Sequence, residues 1–259
     1  MEIKPIRMTI NAGPVAKDDA LVSLDSRFRE VAEAVQVVYR ERYAGAADRA
    51  MAKDASGLIV IVGEFLALMR RLNHEYGPDR SLPFEDAAEA VDEALQALAE
   101  LESWLIRFSL SQYLPHLQKI EIGVGYWAMR HGLSILKIEP IVNALAAQAN
   151  AGASKQETAA VYAMMQGFIS HFAPAFAPDL ERSNPQRPWR LLNLNFAITA
   201  IRTGDDALMR FAFDTLNSHL PDECRGFYEE AHVLASQPGF PLATRGLIEA
   251  EIARWTRVH

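Results

Sequence analysis

The sequence holds 259 residues, half of them apolar and 23% charged, which supplies enough apolar material for a buried core and excludes a disordered chain. Lys and Arg number 26 against 33 Asp and Glu, and the resulting net charge of -7 repels phosphate backbones and argues against a nucleic-acid partner. A single cysteine, Cys224, allows neither an internal disulfide nor the Cys/His spacing of a structural zinc site, so a reducing, cytoplasmic setting is expected.

Residues 1–24 carry Pro5, Gly13 and Pro14 without a helical period and read as an N-terminal arm that frays or packs on a neighbour. Within it Glu2, Lys4, Pro5, Arg7 and Asn11 break any apolar run of the length a signal peptide needs. From Asp25 to about Ala44, Phe28, Val31, Val35, Val38 and Tyr39 recur at three- and four-residue steps and predict a first helix. A second is predicted over about Asp48 to Glu75, with Leu58, Val62, Phe65, Met69 and Leu72 in one stripe. Its aliphatic run Leu58 to Val62, between Gly57 and Gly63, could stand alone as a buried strand, but the helical period continues on both sides. That run is also the longest of its kind, far short of the roughly 18 to 20 residues that cross a bilayer.

Pro83 is placed near the first turn of a third helix in which Phe84, Ala88, Val91, Leu95, Leu98, Leu105 and Phe108 keep helical spacing. Its polar face gathers Glu85, Asp86, Glu89, Asp92, Glu93, Glu100 and Glu102, with no Lys or Arg before Arg107. Further helices are expected from Pro115 to about His131, closed by Gly132, and from Ser134 to Asn150, with Pro140 near the first turn or at a kink. Ser154 and Glu157 form a capping-box pattern opening a helix to about Phe172. Pro174, Pro178, Pro185 and Pro188 then exclude a regular helix over 173–188 and mark a linker or ordered loop. Four final helices are expected over Trp189–Thr203, Asp205–His219, Pro221–Ala235 and Pro241–Val258. The fold class is all-α: stacked antiparallel hairpins, as an α-solenoid or an irregular bundle. The organisation is an arm (1–24), a helical region (25–172), a proline-rich loop or linker (173–188) and C-terminal hairpins (189–259), or one continuous domain over 25–259.

Gly132, Gly167, Gly204 and Gly239 are spaced by 35, 37 and 35 residues, and Ala128-Met-Arg-His-Gly132 echoes Ala200-Ile-Arg-Thr-Gly204. Asn195 to Pro221, with Phe196, Ala197, Gly204, Asp205, Phe213, Leu216 and Pro221, resembles a degenerate tetratricopeptide repeat. Met209 and Ala200 stand where that family has a small residue and an aromatic. The resemblance implies stacked hairpins and a concave face that binds a peptide or protein.

Catalytic and cofactor motifs fit poorly. Gly123-Val-Gly125-Tyr-Trp-Ala128 matches G-x-G-x-x-A, but neither the strand before it nor an acid about 20 residues later is present, so the glycines read as aids to close helix packing. Glu229-Glu-Ala-His232 is a lone E-x-x-H where a di-iron bundle needs two. No cofactor and no metal ligand set is expected. Arg182, Arg187 and Arg190 beside Trp189 have the composition of a binding surface, or else form an ordered loop tied down by Trp189 packing on the core, and Glu89, Asp92 and Glu93 could meet a basic partner or form a solvated helix face. The leading expectation is a non-catalytic scaffold or adaptor for a protein or peptide. The alternative is a helical enzyme or small-molecule-binding bundle with a pocket near Trp127, Arg130, His131 and His171.

Overall fold

The computed structural model describes residues 16–43, 54–84, 86–152, 154–178, 182–237 and 240–257, with side chains from residue 21 onward. Among them are ten α-helices and no strand, in agreement with the all-α expectation. Glu85, Gly239 and the expected helix start at Asp48 lie outside the described residues. The chain divides into two compact units, Met1–Leu133 and Ser134–His259. The division precedes the proline-rich stretch, which lies wholly within the second unit.

The first unit is a ring of four helices: α1 (Ala16–Tyr43), α2 (Ala55–Tyr76), α3 (Ala87–Arg107) and α4 (Leu114–Arg130). Each packs on two others, α1 on α2 and α4, and α3 on α2 and α4. Helix α1 begins nine residues before Asp25, so 16–24 are not an irregular arm. Leu21 and Leu24 are buried and extend the stripe of Phe28, Val31 and Val35 back by two turns. Leu58 to Val62 lie within α2, which Asp54 caps by accepting the Ser56 amide at 3.2 Å. Val91, Leu95, Leu98, Leu101 and Leu105 of α3 and Leu117, Ile120 and Val124 of α4 complete the core. Full burial of each such side chain is worth about 1.5–3 kcal/mol. Gly123 and Gly125 sit inside α4 rather than in a strand-to-helix turn, which removes the dinucleotide-binding context and leaves them a packing role.

The second unit contains α5 (Glu139–Ala151), α6 (Lys155–Phe176), α7 (Pro188–Thr203), α8 (Asp206–His219), α9 (Cys224–Ala235) and α10 (Leu242–Arg257). Helices α5, α6 and α7 pack pairwise, α7 also meets α8 and α9, and α10 covers α8 and α9. The capping box is formed: Ser154 Oγ accepts the Glu157 amide at 3.2 Å, and Glu157 Oε2 accepts the Ser154 amide at 3.0 Å. Pro140 falls in the first turn of α5, where no amide hydrogen is needed. Helix α6 continues through Pro174 to Phe176, four residues past its expected end. A proline there forgoes a single bond to the Ser170 carbonyl in a helix already in its last turn.

Gly132 and Gly204 both adopt left-handed backbone, with φ of 70° and 68°, the first just beyond the His131 cap of α4 and the second as the cap of α7. The echoed A-x-R-x-G segments thus both place a left-handed glycine at a helix C-terminus. Gly167, in contrast, lies in mid-helix in α6, so the four glycines do not occupy equivalent positions.

Candidate functional site

The Arg and Trp segment is an internal clamp. Pro188 occupies the first turn of α7, so Trp189 is a helical residue, only 2% exposed, with its ring against Phe176 and 5.0 Å from His219. Arg187 is 4% exposed. It donates to the carbonyls of Asn184 (3.1 Å) and Arg182 (3.3 Å) and to Glu223 Oε1 at 3.4 Å. Arg190 Nε lies 2.8 Å from the same carboxylate, and its Nη1 donates to the Pro185 carbonyl at 3.1 Å. The hydrogen bond from Arg190, joined by the charges of both guanidiniums, holds the Glu223 carboxyl below its ordinary pKa. Of the four residues expected at a binding surface, only Arg182 extends well into solvent, 3.6 Å from Asp222. Arg187 is enclosed rather than exposed, and Trp189 packs on the core in the manner of an ordered loop tied down by its ring.

Trp127, Arg130 and His131 are indeed brought together, in the first unit. Asn73 Oδ1 accepts from Trp127 Nε1 at 2.8 Å and faces His131 Nε2 at 3.0 Å. His131 Nδ1 lies 2.6 Å from the Arg80 carbonyl. Both ring nitrogens therefore face oxygen acceptors, an arrangement a neutral imidazole satisfies at only one of them. Burial nonetheless lowers the His131 pKa, against the opposing pull of the Arg80 carbonyl. Arg130 is spent on Asp79, 2.5 Å away. His171 belongs to the second unit, on α6, with its ring 5.4 Å from Phe172.

On α3, Glu89 and Glu93 are exposed and Asp92 is half-buried. On the buried side, Glu121 of α4 is 2% exposed and its Oε1 has no hydrogen-bond partner among the described residues. Burial, reinforced by the charge of Glu102, pushes its pKa well up. Cys224 is buried, its thiol donating to the Leu220 carbonyl at 3.3 Å, and burial pushes its pKa up to about 12. Such a thiol is inert as a nucleophile. His232 of the E-x-x-H pair meets Glu249 at 3.3 Å, and no group of three or more His, Cys, Asp or Glu among the described residues could hold a metal.

A groove not foreseen from the sequence lies in the second unit, between α6 and α8 over α7. It encloses about 440 Å³. Ile169 and Ala173 form one wall, Phe196 the floor and Phe211 with Asp214, Thr215 and Ser218 the other wall. Phe211 is 48% exposed and stands edge-on to Phe196, which is stacked on Tyr162. The Tyr162 hydroxyl donates to the Leu208 carbonyl at 3.1 Å and so ties α6 to the start of α8. His219 closes one end. Asn193 Nδ2 donates to the Trp189 carbonyl at 2.9 Å, which directs its Oδ1 to accept from His219 Nδ1 at 2.8 Å. Burial lowers the His219 pKa, so a neutral ring with hydrogen on Nδ1 faces the groove. Asp214 is then the charged group of the lining.

Compared with known proteins, the chain matches no family model, no curated protein sequence and no solved structure.

Proposed function

We propose that this chain is a non-catalytic helical scaffold or adaptor, acting in the cytoplasm, whose second unit receives a peptide or protein segment in the groove between α6 and α8. The observation that carries this reading is the half-exposed Phe211 beside Phe196, an aromatic anchor point in a preformed concavity with a polar rim. Preformed walls lower the ordering cost of binding, because Tyr162 and the Asp205 cap fix α6 and α8 beforehand. The resemblance of Asn195 to Pro221 to a tetratricopeptide hairpin is supported by the left-handed Gly204, the Asp205 cap on α8 and the burial of Phe196, Ala197, Phe213 and Leu216. Ala200 and Met209, the two departures from that pattern, are also buried and fill the same helix seam. Among the described residues no helix is long and apolar enough to cross a membrane, and the single thiol is buried and reduced, which suits a cytoplasmic site.

The test is affinity capture from the native cell with the unaltered chain and with Phe211→Glu. Retention of a specific protein by the former, and its loss with the variant at unchanged melting temperature, supports the reading. Capture of the same protein by both overturns it.

A further inference from the structure

We propose a second docking surface, on the first unit, that takes an acidic and partly apolar segment of another protein. It is built where the C-terminal ends of α1 and α3 meet, and it stands independently of the groove in the second unit. Tyr39 and Tyr43 of α1 lie 5.8 and 6.5 Å from Trp104 of α3, both edge-on. Trp104 in turn lies 5.1 Å from Phe108. The two tyrosines and Trp104 are half-exposed. Two exposed guanidiniums sit on these rings: Arg107 Cζ is 4.7 Å from the Trp104 centroid and Arg42 Cζ is 5.2 Å from that of Phe108. Arg42 also donates to the Arg107 carbonyl at 3.4 Å, which joins the two helix ends.

Charge identifies the occupant. Among the described residues no carboxylate pairs with Arg42 or Arg107, although the whole chain carries a net charge of -7. Each guanidinium is held by a ring and keeps donors for a bidentate carboxylate. Trp, Tyr and Arg are the residues that most often anchor protein interfaces, and here their rotamers are ordered before binding. A phosphate polymer is disfavoured because Arg107 already lies over the Trp104 ring on which a base would stack.

The test uses the full chain and three fluorescent probes: a peptide of repeated Glu-Glu-Leu, the same peptide with Gln for Glu, and an oligo-dT strand of equal length. Expected is saturable binding of the acidic peptide that weakens with salt, a Gln peptide at least about tenfold weaker, and a similar loss in Arg42→Ala/Arg107→Ala. Arg42→Lys/Arg107→Lys should fall between, since charge survives and the planar fork does not. Circular dichroism melting of both double variants checks that the bundle is intact, and the Lys pair provides the decisive comparison if the Ala pair unfolds. The proposal is overturned by no binding of the acidic peptide up to ~1 mM, by equal affinity for the Gln peptide, by an affinity indifferent to both double variants, or by tighter binding of oligo-dT.

Discussion

Leu24 of α1 lies over Gly123 of α4 so closely that a Cβ placed on that glycine would come within 2.6 Å of Leu24 Cδ1 and 3.3 Å of its Cγ. Leu24 is itself buried and has little room to retreat. Gly123→Ala should therefore lose its helix-propensity gain of about 1 kcal/mol to a clash costing about 1–3 kcal/mol, and Gly123→Val should be worse. Gly246, exposed in α10 with nothing within 4 Å of such a Cβ, supplies the opposite expectation. Gly246→Ala should stabilise by roughly 0.5–1 kcal/mol. Urea unfolding of the two alanine variants reads this directly, and equal gains would show that α1 does not rest on α4 at Leu24.

Burial together with Glu102 keeps the proton on Glu121 to well above the ordinary value of 4.5. The folded state thus binds that proton more tightly than the unfolded chain. Its contribution to stability is complete below the ordinary value and is lost as pH rises through the folded-state pKa. Glu121→Gln, which cannot ionise, escapes this loss and should gain on the unaltered protein progressively as pH rises above 4.5. Parallel stability-against-pH curves for the two would contradict this.

Asn73 Oδ1 accepts from the buried Trp127 Nε1 and lies 3.0 Å from His131 Nε2. In Asn73→Leu, Trp127 Nε1 loses its acceptor, and the variant should be destabilised by about 1–3 kcal/mol. Because burial already lowers the His131 pKa, stability should also fall as pH drops below 6.5 through the folded-state value. A variant as stable as its parent would mean that water or another group takes over the Trp127 donor.

Arg187→Ala should cost about 2–3 kcal/mol, since it strips a buried cation from two carbonyls and from Glu223. Arg190→Ala, at a partly exposed position, should cost about 1 kcal/mol. Thermal melts should show this order, and partner capture should change only as far as stability does. Loss of capture at full stability would restore the segment as a binding surface.

Local signals in the sequence were legible and those that need the tertiary fold were not. Ser154 and Glu157, or Gly204 followed by Asp205, act over three residues and locate helix ends correctly. The start of α1 was also within reach: Leu21, Leu24, Phe28, Val31 and Val35 keep helical spacing, but Gly13, Pro14 and the Asp18-Asp19 pair draw attention to a break. Trp189 can be read two ways along the chain, as a binding residue or as a core anchor, because it stands among prolines, one of which, Pro188, is the first residue of its helix. Glu121 reads as one more polar residue between two isoleucines, and only the packing of α3 on α4 reveals that it is enclosed. Arg42 and Arg107 are 65 residues apart, and no pattern along the chain announces that they share one aromatic surface.

The ring formed by α1 to α4 also governs how the first unit comes apart. A closed circuit has no terminal helix, so releasing any member strips apolar contact from both neighbours, and amide exchange in α1 to α4 is expected to proceed as one cooperative opening. The second unit is an open array in which α10 buries little more than Thr244 and Ile248. It can lose α10 at small cost while α5, α6 and α7 remain docked, and protection there should rise in steps from Leu242–Arg257 inward.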